Sequence, residues 1–250
     1  MRTVRAILLS VGLALAAAGT VSAKRPRLAG LRLLILGGGT HTTHKFRDNS
    51  ALLVAALRAD GTLDSADYTE DLDALRSEKL ADYDALLIYA WRATGHGGSI
   101  ETDAQRAGLA NFLRNGKGMV VAHIGVGCFD DWPEYGKMIG ARWVSGTSSH
   151  SPYMPVEIKV NLPGRDAAGG VGDFYTVDEI YTHLVLDPSV RKLQPLFTAD
   201  YAGERHPLTW QRRYGKGRVF VNVLGHGSDS WHAGGFQRLM RGGLLWATRH

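Results

Sequence analysis

The residues of this chain best suited to chemistry are imidazoles. Of its ten histidines, His41, His44, His123, His150 and His226 fall in loops or at strand ends expected on one side of the fold, together with Glu179. Neutral imidazole ligates metals, and histidine titrates near neutrality and can pass protons. Glu179 can act as base or ligand, although a carboxylate ending a strand can also be a solvated edge. Ordinary glycosidases place two carboxylates across the scissile bond. A histidine-rich set suits proton abstraction beside a ketone instead. Trp132, Tyr135 and Tyr181 can form an aromatic wall on which a sugar ring stacks, with at least one of the three expected in the core.

Other candidates carry less. The single cysteine, Cys128, reads as a small buried hydrophobe rather than a nucleophile. Asp130 and Asp131 read as caps for a helix beginning near Trp132 rather than as catalysts. Gly37-Gly38-Gly39 is followed by neither a Walker lysine nor the spaced glycines of a dinucleotide fingerprint, so no nucleotide cofactor is expected.

The elements that must position these groups follow from periodicity. Leu31 to Leu36 reads as a buried strand ending in the glycine loop, and Ser50 can cap the helix that carries Leu52, Leu53, Ala56 and Leu57. A second strand from Tyr83 to Tyr89 is followed by a helix over 102–115. A third, Met119 to Ala122, delivers His123 to its carboxyl end, before the turn Gly125-Val126-Gly127. Such alternation predicts a mainly parallel sheet sandwiched by helices, an α/β fold whose strand ends converge on one crevice. The second half adds antiparallel strands: Pro155 to Val160, then a hairpin from Leu208 to Leu224 turning at Gly215-Lys216-Gly217. A helix from about Gly235 to Thr248 closes the chain.

Composition narrows the class. Arg2 and Arg5, the apolar run from Ala6 to Ala18 and the small residues Val21-Ser22-Ala23 read as a signal peptide over 1–23, cleaved before Lys24. A single domain over 24–250, periplasmic or secreted and without stable membrane insertion, is expected. Loss of Arg2 and Arg5 lowers the formal charge from +5 to +3, spread without basic runs, so nucleic-acid binding is unsupported.

The segments Trp132 to Ala141, Asp178-Glu179-Ile180-Tyr181, His206 to Trp210, Tyr214 to Phe220, Leu224-Gly225-His226 and Gly242 to Ala247 resemble, in type and order, the ThuA-like (trehalose-utilisation) family. The resemblance implies a class I glutamine amidotransferase-like, flavodoxin-type fold. His123 then falls on the sharp turn where an amidotransferase has its cysteine. His226 matches the activating histidine, with Ser228 in place of the usual glutamate. A histidine cannot form the thioester, so amidotransferase activity is excluded. The resemblance also implies a sugar or 3-keto-sugar derivative as partner, with His123, His226, His150 and Glu179 as catalytic candidates and His123 and His226 as possible holders of a divalent metal. Lys45 stands where relatives often carry an aspartate, which speaks against a metal role for His44 and leaves it a substrate-contact candidate. The alternative is a noncatalytic carbohydrate-binding or scaffold protein that keeps the same fold.

Overall fold

The structure, a computed structural model, describes residues 30–96, 98–161 and 170–248. The expected signal peptide and its cleavage site lie outside the described residues. In chain order the first half runs β1 (Arg32–Leu36), α1 (Phe46–Ala59), β2 (Ser65–Thr69), α2 (Ser77–Leu80), β3 (Ala85–Ile88), α3 (Asp103–Arg114), β4 (Gly118–Ala122) and α4 (Pro133–Ile139). The two-residue strands β5 (Ala141–Arg142) and β6 (Ser149–His150) lead to β7 (Met154–Val160), β8 (Phe174–Asp178), β9 (Tyr181–Thr182) and β10 (Val185–Leu186). The chain then forms β11 (Phe197–Tyr201), β12 (Glu204–Tyr214), β13 (Gly217–Asn222), α5 (Ser228–His232) and α6 (Gly234–Thr248).

Nine strands form one sheet in the order β2-β1-β3-β4-β13-β12-β11-β7-β8. The pairs from β2 through β1, β3 and β4 to β13 are parallel. From β13 outward through β12, β11, β7 and β8 all are antiparallel. This is the expected α/β fold, wound in the flavodoxin order, with the added antiparallel strands beside the last parallel one. The buried faces of β1, β3 and β4 read as apolar runs because helices cover both sides of the parallel region. Beyond β3, Trp91 N donates to the Gly38 carbonyl at 2.9 Å, drawing the two strand-end loops together. Gly39, at φ +124°, is needed there because a Cβ would lie 2.2 Å from the Trp91 carbonyl oxygen.

Two capping expectations change. Helix α1 begins a turn earlier than Ser50, whose hydroxyl instead donates to the Phe46 carbonyl at 2.7 Å inside the helix. A serine hydroxyl satisfies either pattern, and burial of Phe46 and Asn49 favours the longer helix. Helix α4 has Trp132 at its N-cap and no side-chain cap. Asp130 instead accepts from Thr94 N at 2.8 Å and Thr94 Oγ1 at 3.0 Å, and Asp131 from the Ser99 hydroxyl. Both carboxylates therefore tie the loop after β3 to the approach of α4. Helix α3 starts as expected, with a reciprocal capping box between Thr102 and Gln105.

Candidate functional site

Three histidines meet where β1, β4 and β13 end. His123 follows β4 directly at φ +47°, in the left-handed region that side chains seldom adopt, and is fully buried. Its Nδ1 lies 3.0 Å from the Val223 carbonyl oxygen just past β13. A carbonyl only accepts, so Nδ1 carries the hydrogen and Nε2 presents a lone pair. That lone pair faces the Tyr181 hydroxyl at 3.0 Å and His44 Nε2, also at 3.0 Å.

His44 comes from the loop before α1 and is buried, its ring stacked on Phe46 with centroids 5.5 Å apart. Burial, then the neighbouring His226 and His41, lowers its pKa to about 3. Burial, and next His44, likewise holds His123 well below the ordinary histidine value. Both rings are neutral near pH 7, the state that ligates metal.

His226 sits past β13 with its ring centroid 4.7 Å from that of His44 and 5.4 Å from that of His123. Here the Glu179 carboxylate raises the pKa, against an opposing effect of burial. Nδ1 lies 3.1 Å from Glu179 Oε2, yet this buried nitrogen has no aligned hydrogen-bond acceptor among the described residues. The contact is best described as a close ion pair. Glu179 thus supplies, from the end of β8, the carboxylate absent from the segment after His226. It also reaches His150 Nδ1 at 3.3 Å and lies 4.0 Å from His123 Nε2. His150 is half-exposed, and its Nδ1 donates to the Ser151 carbonyl at 2.7 Å, which leaves Nε2 with the lone pair. The ribbon of β6 and β9 pairs His150 with Tyr181 and so sets both beside Glu179.

A divalent cation fits this set. One nitrogen from each of His44, His123 and His226 lies within 4.8 Å of the others. The tautomer of His123 leaves a lone pair facing its neighbours, and the Glu179 carboxylate beside His226 Nδ1 suits a hydrogen there, which leaves the lone pair of that ring on Nε2. His44 therefore joins the expected pair despite the lysine that follows it.

Of the other expected residues, Tyr181 is present through its hydroxyl rather than as an open stacking face. Tyr135 is fully buried and donates to the Gly125 carbonyl at 2.9 Å, and Trp132 and Tyr135 both pack against Phe129. Tyr181 packs instead on His123 and Trp143, so the three aromatics do not form one wall. His41 is exposed at the rim, its ring centroid 5.2 Å from that of His44. Cys128 is buried, with Sγ donating to the Ala90 carbonyl at 3.2 Å, and burial pushes the thiol up to about 12.

Sequence reasoning missed Asp178. This fully buried carboxylate accepts from Gly225 N at 2.7 Å, His226 N at 3.1 Å, Glu179 N at 2.8 Å and the Ser230 hydroxyl. It holds the turn that presents His226 against β8, and its desolvation raises its pKa to about 6. Trp91 and Trp143 were also missed. The position of Trp91 just past a parallel strand was a usable signal; for Trp143 the sequence carries none.

A sequence model described as trehalose utilisation (ThuA) matches residues 32–247. No curated protein matches the chain. Among solved structures, a putative ThuA-like protein from Parabacteroides merdae superposes with a TM-score of 0.71 at 19% identity, over 88% of this chain and 90% of that one. One from Bacteroides uniformis gives 0.69 at 18% identity, over 90% and 93%. A β-galactosidase from Bacillus circulans gives 0.55 at 12% identity, over 87% of this chain but 31% of its own. At these identities the structural likenesses describe the fold.

Proposed function

Because the chain belongs to the ThuA family of trehalose utilisation, we propose that its histidine cluster is the active site of a metal-assisted enzyme acting on a sugar oxidised to a ketone. The observation that carries this reading is the convergence of His44, His123 and His226, with Glu179 within 4.0 Å or less of His123, His150 and His226. A purely structural cluster has no need of three imidazoles that each bring a nitrogen within 4.8 Å of the others.

Bound there by the three histidines, a divalent cation would stabilise negative charge developing on the ketone oxygen. The remaining steps belong to the chain. Glu179 Oε1 and the Ser151 carbonyl hold the Nδ1 hydrogen of His150, so Nε2 is the base. In a glycoside ketonised at carbon 3, Nε2 removes the acidified hydrogen at carbon 2. The electron pair forms the enolate and then the C1–C2 double bond as the C1–O bond breaks. The imidazolium returns its proton to the departing oxygen, so the step balances without a further donor. The Tyr181 hydroxyl keeps the His123 ring in place. Export is part of the same proposal, resting on the leader read in residues 1–23, and N-terminal sequencing of the exported protein checks it.

The deciding experiment combines metal analysis with incubation on 3-keto-disaccharides and their unoxidised parents. The expected result is about one divalent ion per chain and turnover of the ketones alone. Full activity after exhaustive chelation removes the metal, and inertness toward every ketone favours a carbohydrate-binding role.

A further inference from the structure

Beside the histidines lies a cavity of about 340 Å³, within the roughly 300–1,000 Å³ of small-molecule sites. Its wall includes Trp91, Trp143, Thr94, Asp130, Arg142 and Ser145. It adjoins the site at two points. The Trp91 ring centroid is 5.3 Å from that of His41, and the Trp143 ring centroid is 4.8 Å from Tyr181 and 5.9 Å from His150.

The polar groups of this wall are incompletely used. Trp91 is buried, and its indole N–H has no hydrogen-bond partner among the described residues. Arg142 donates to the Asp130 carbonyl at 3.3 Å but has no carboxylate within ion-pair distance among the described residues. Asp130 receives Thr94 on Oδ1 alone. The wall thus offers indole surface from Trp91 and Trp143, one cation and one anion with spare hydrogen-bonding capacity. A pyranose matches that combination: its C–H faces pack on indole, and its hydroxyls both donate and accept. A charged ligand would leave Arg142 or Asp130 opposing it.

We propose that this cavity is a subsite for a second, neutral sugar ring, so that the substrate has at least two rings, one at the histidines and one against Trp91 and Trp143. The inference rests on the preceding reading only in placing the reacting ring at the histidines.

The test is a calorimetric titration of the full chain with trehalose, a neutral two-ring sugar, and with glucose. Truncating a stacked tryptophan commonly weakens binding by about tenfold or more. Trehalose is therefore expected to bind at least about tenfold more tightly than glucose, and Trp143→Ala should remove that advantage. Ser145 is exposed, so Ser145→Trp fills the cavity without disturbing the core and should have the same effect. This second variant decides the matter if Trp143→Ala fails to fold. Equal affinity for the two sugars in the unmodified chain, absence of binding by either, or an advantage unchanged by Ser145→Trp overturns the subsite. Loss of the advantage in the variants, in a protein inert toward ketones, supports the subsite while removing the catalytic reading.

Discussion

His123 keeps a left-handed backbone that costs about 1 kcal/mol or more, and the surroundings offset it through the Val223 carbonyl, Tyr181 and His44. Those contacts fix its ring, so proton movement falls to a freer group. His150 is that group, with one nitrogen held and the other open. His150→Ala is therefore expected to lower kcat by about 10²- to 10⁴-fold while bound metal stays at the unmodified level. Loss of metal in this variant would make His150 a ligand rather than a base. The cluster also has a defined response to acid. His44 has a folded pKa of about 3 against 6.5 when unfolded. The unfolded chain thus takes up a proton that the folded one refuses, and stability declines as pH falls from 6.5 toward 3. The slope is up to about 1.4 kcal/mol per pH unit for this group. His226 acts in the opposite sense. Its raised pKa contributes stability that is complete below 6.5 and fades as pH rises through the folded value. In metal-free protein the melting temperature of His44→Ala should fall less steeply below pH 6 than that of the unmodified chain. An unchanged acid limb would assign the acid sensitivity to other groups.

Among the elements, those that pack as regular layers were legible and those that pack as short ribbons were not. Helix α3 was legible over 102–115 through the apolar side formed by Leu109, Phe112 and Leu113, and β4 through its unbroken apolar run. The ribbon of β6 and β9 has two residues a side, too few for any period, although it brings His150 and Tyr181 to Glu179. His123 and His226 were legible because each ends a strand that pattern alone could identify. Glu179 was expected on the same side, but its contact with His226 was not legible, because β8 joins the sheet only through antiparallel pairing at its far edge. Helix α3 yields a further expectation from close approach. A Cβ on Gly108 would lie 2.0 Å from the Leu75 carbonyl oxygen and 2.7 Å from Ser77 N, both backbone. Gly108→Ala should cost at least about 1–3 kcal/mol, more than the roughly 1 kcal/mol expected of Thr102→Ala, as read from urea midpoints at a common slope. A milder effect at Gly108 would mean that α2 yields easily to α3.

Across the whole molecule, the parallel strands bring His44, His123 and His226, and the segment after the antiparallel β8 brings Glu179 and Tyr181. The fold class was evident from the alternation of strands and helices, and the gathering of these residues on one side was expected, while the particular contacts between the two regions were not legible, since they join residues distant in sequence. That separation has a kinetic meaning. His44 and His123 are 79 residues apart, so a cation can collect its ligands only after the parallel strands β1, β4 and β13 have assembled. If the three-imidazole site forms after the rate-limiting step, bound metal should slow the unfolding limb of a chevron plot while leaving the folding limb where it was. Acceleration of folding by metal would show instead that the three loops meet early, before the sheet is complete. With the former outcome, the lifetime of the folded protein is set by how firmly it keeps its ion, and chelation becomes a timer for its loss.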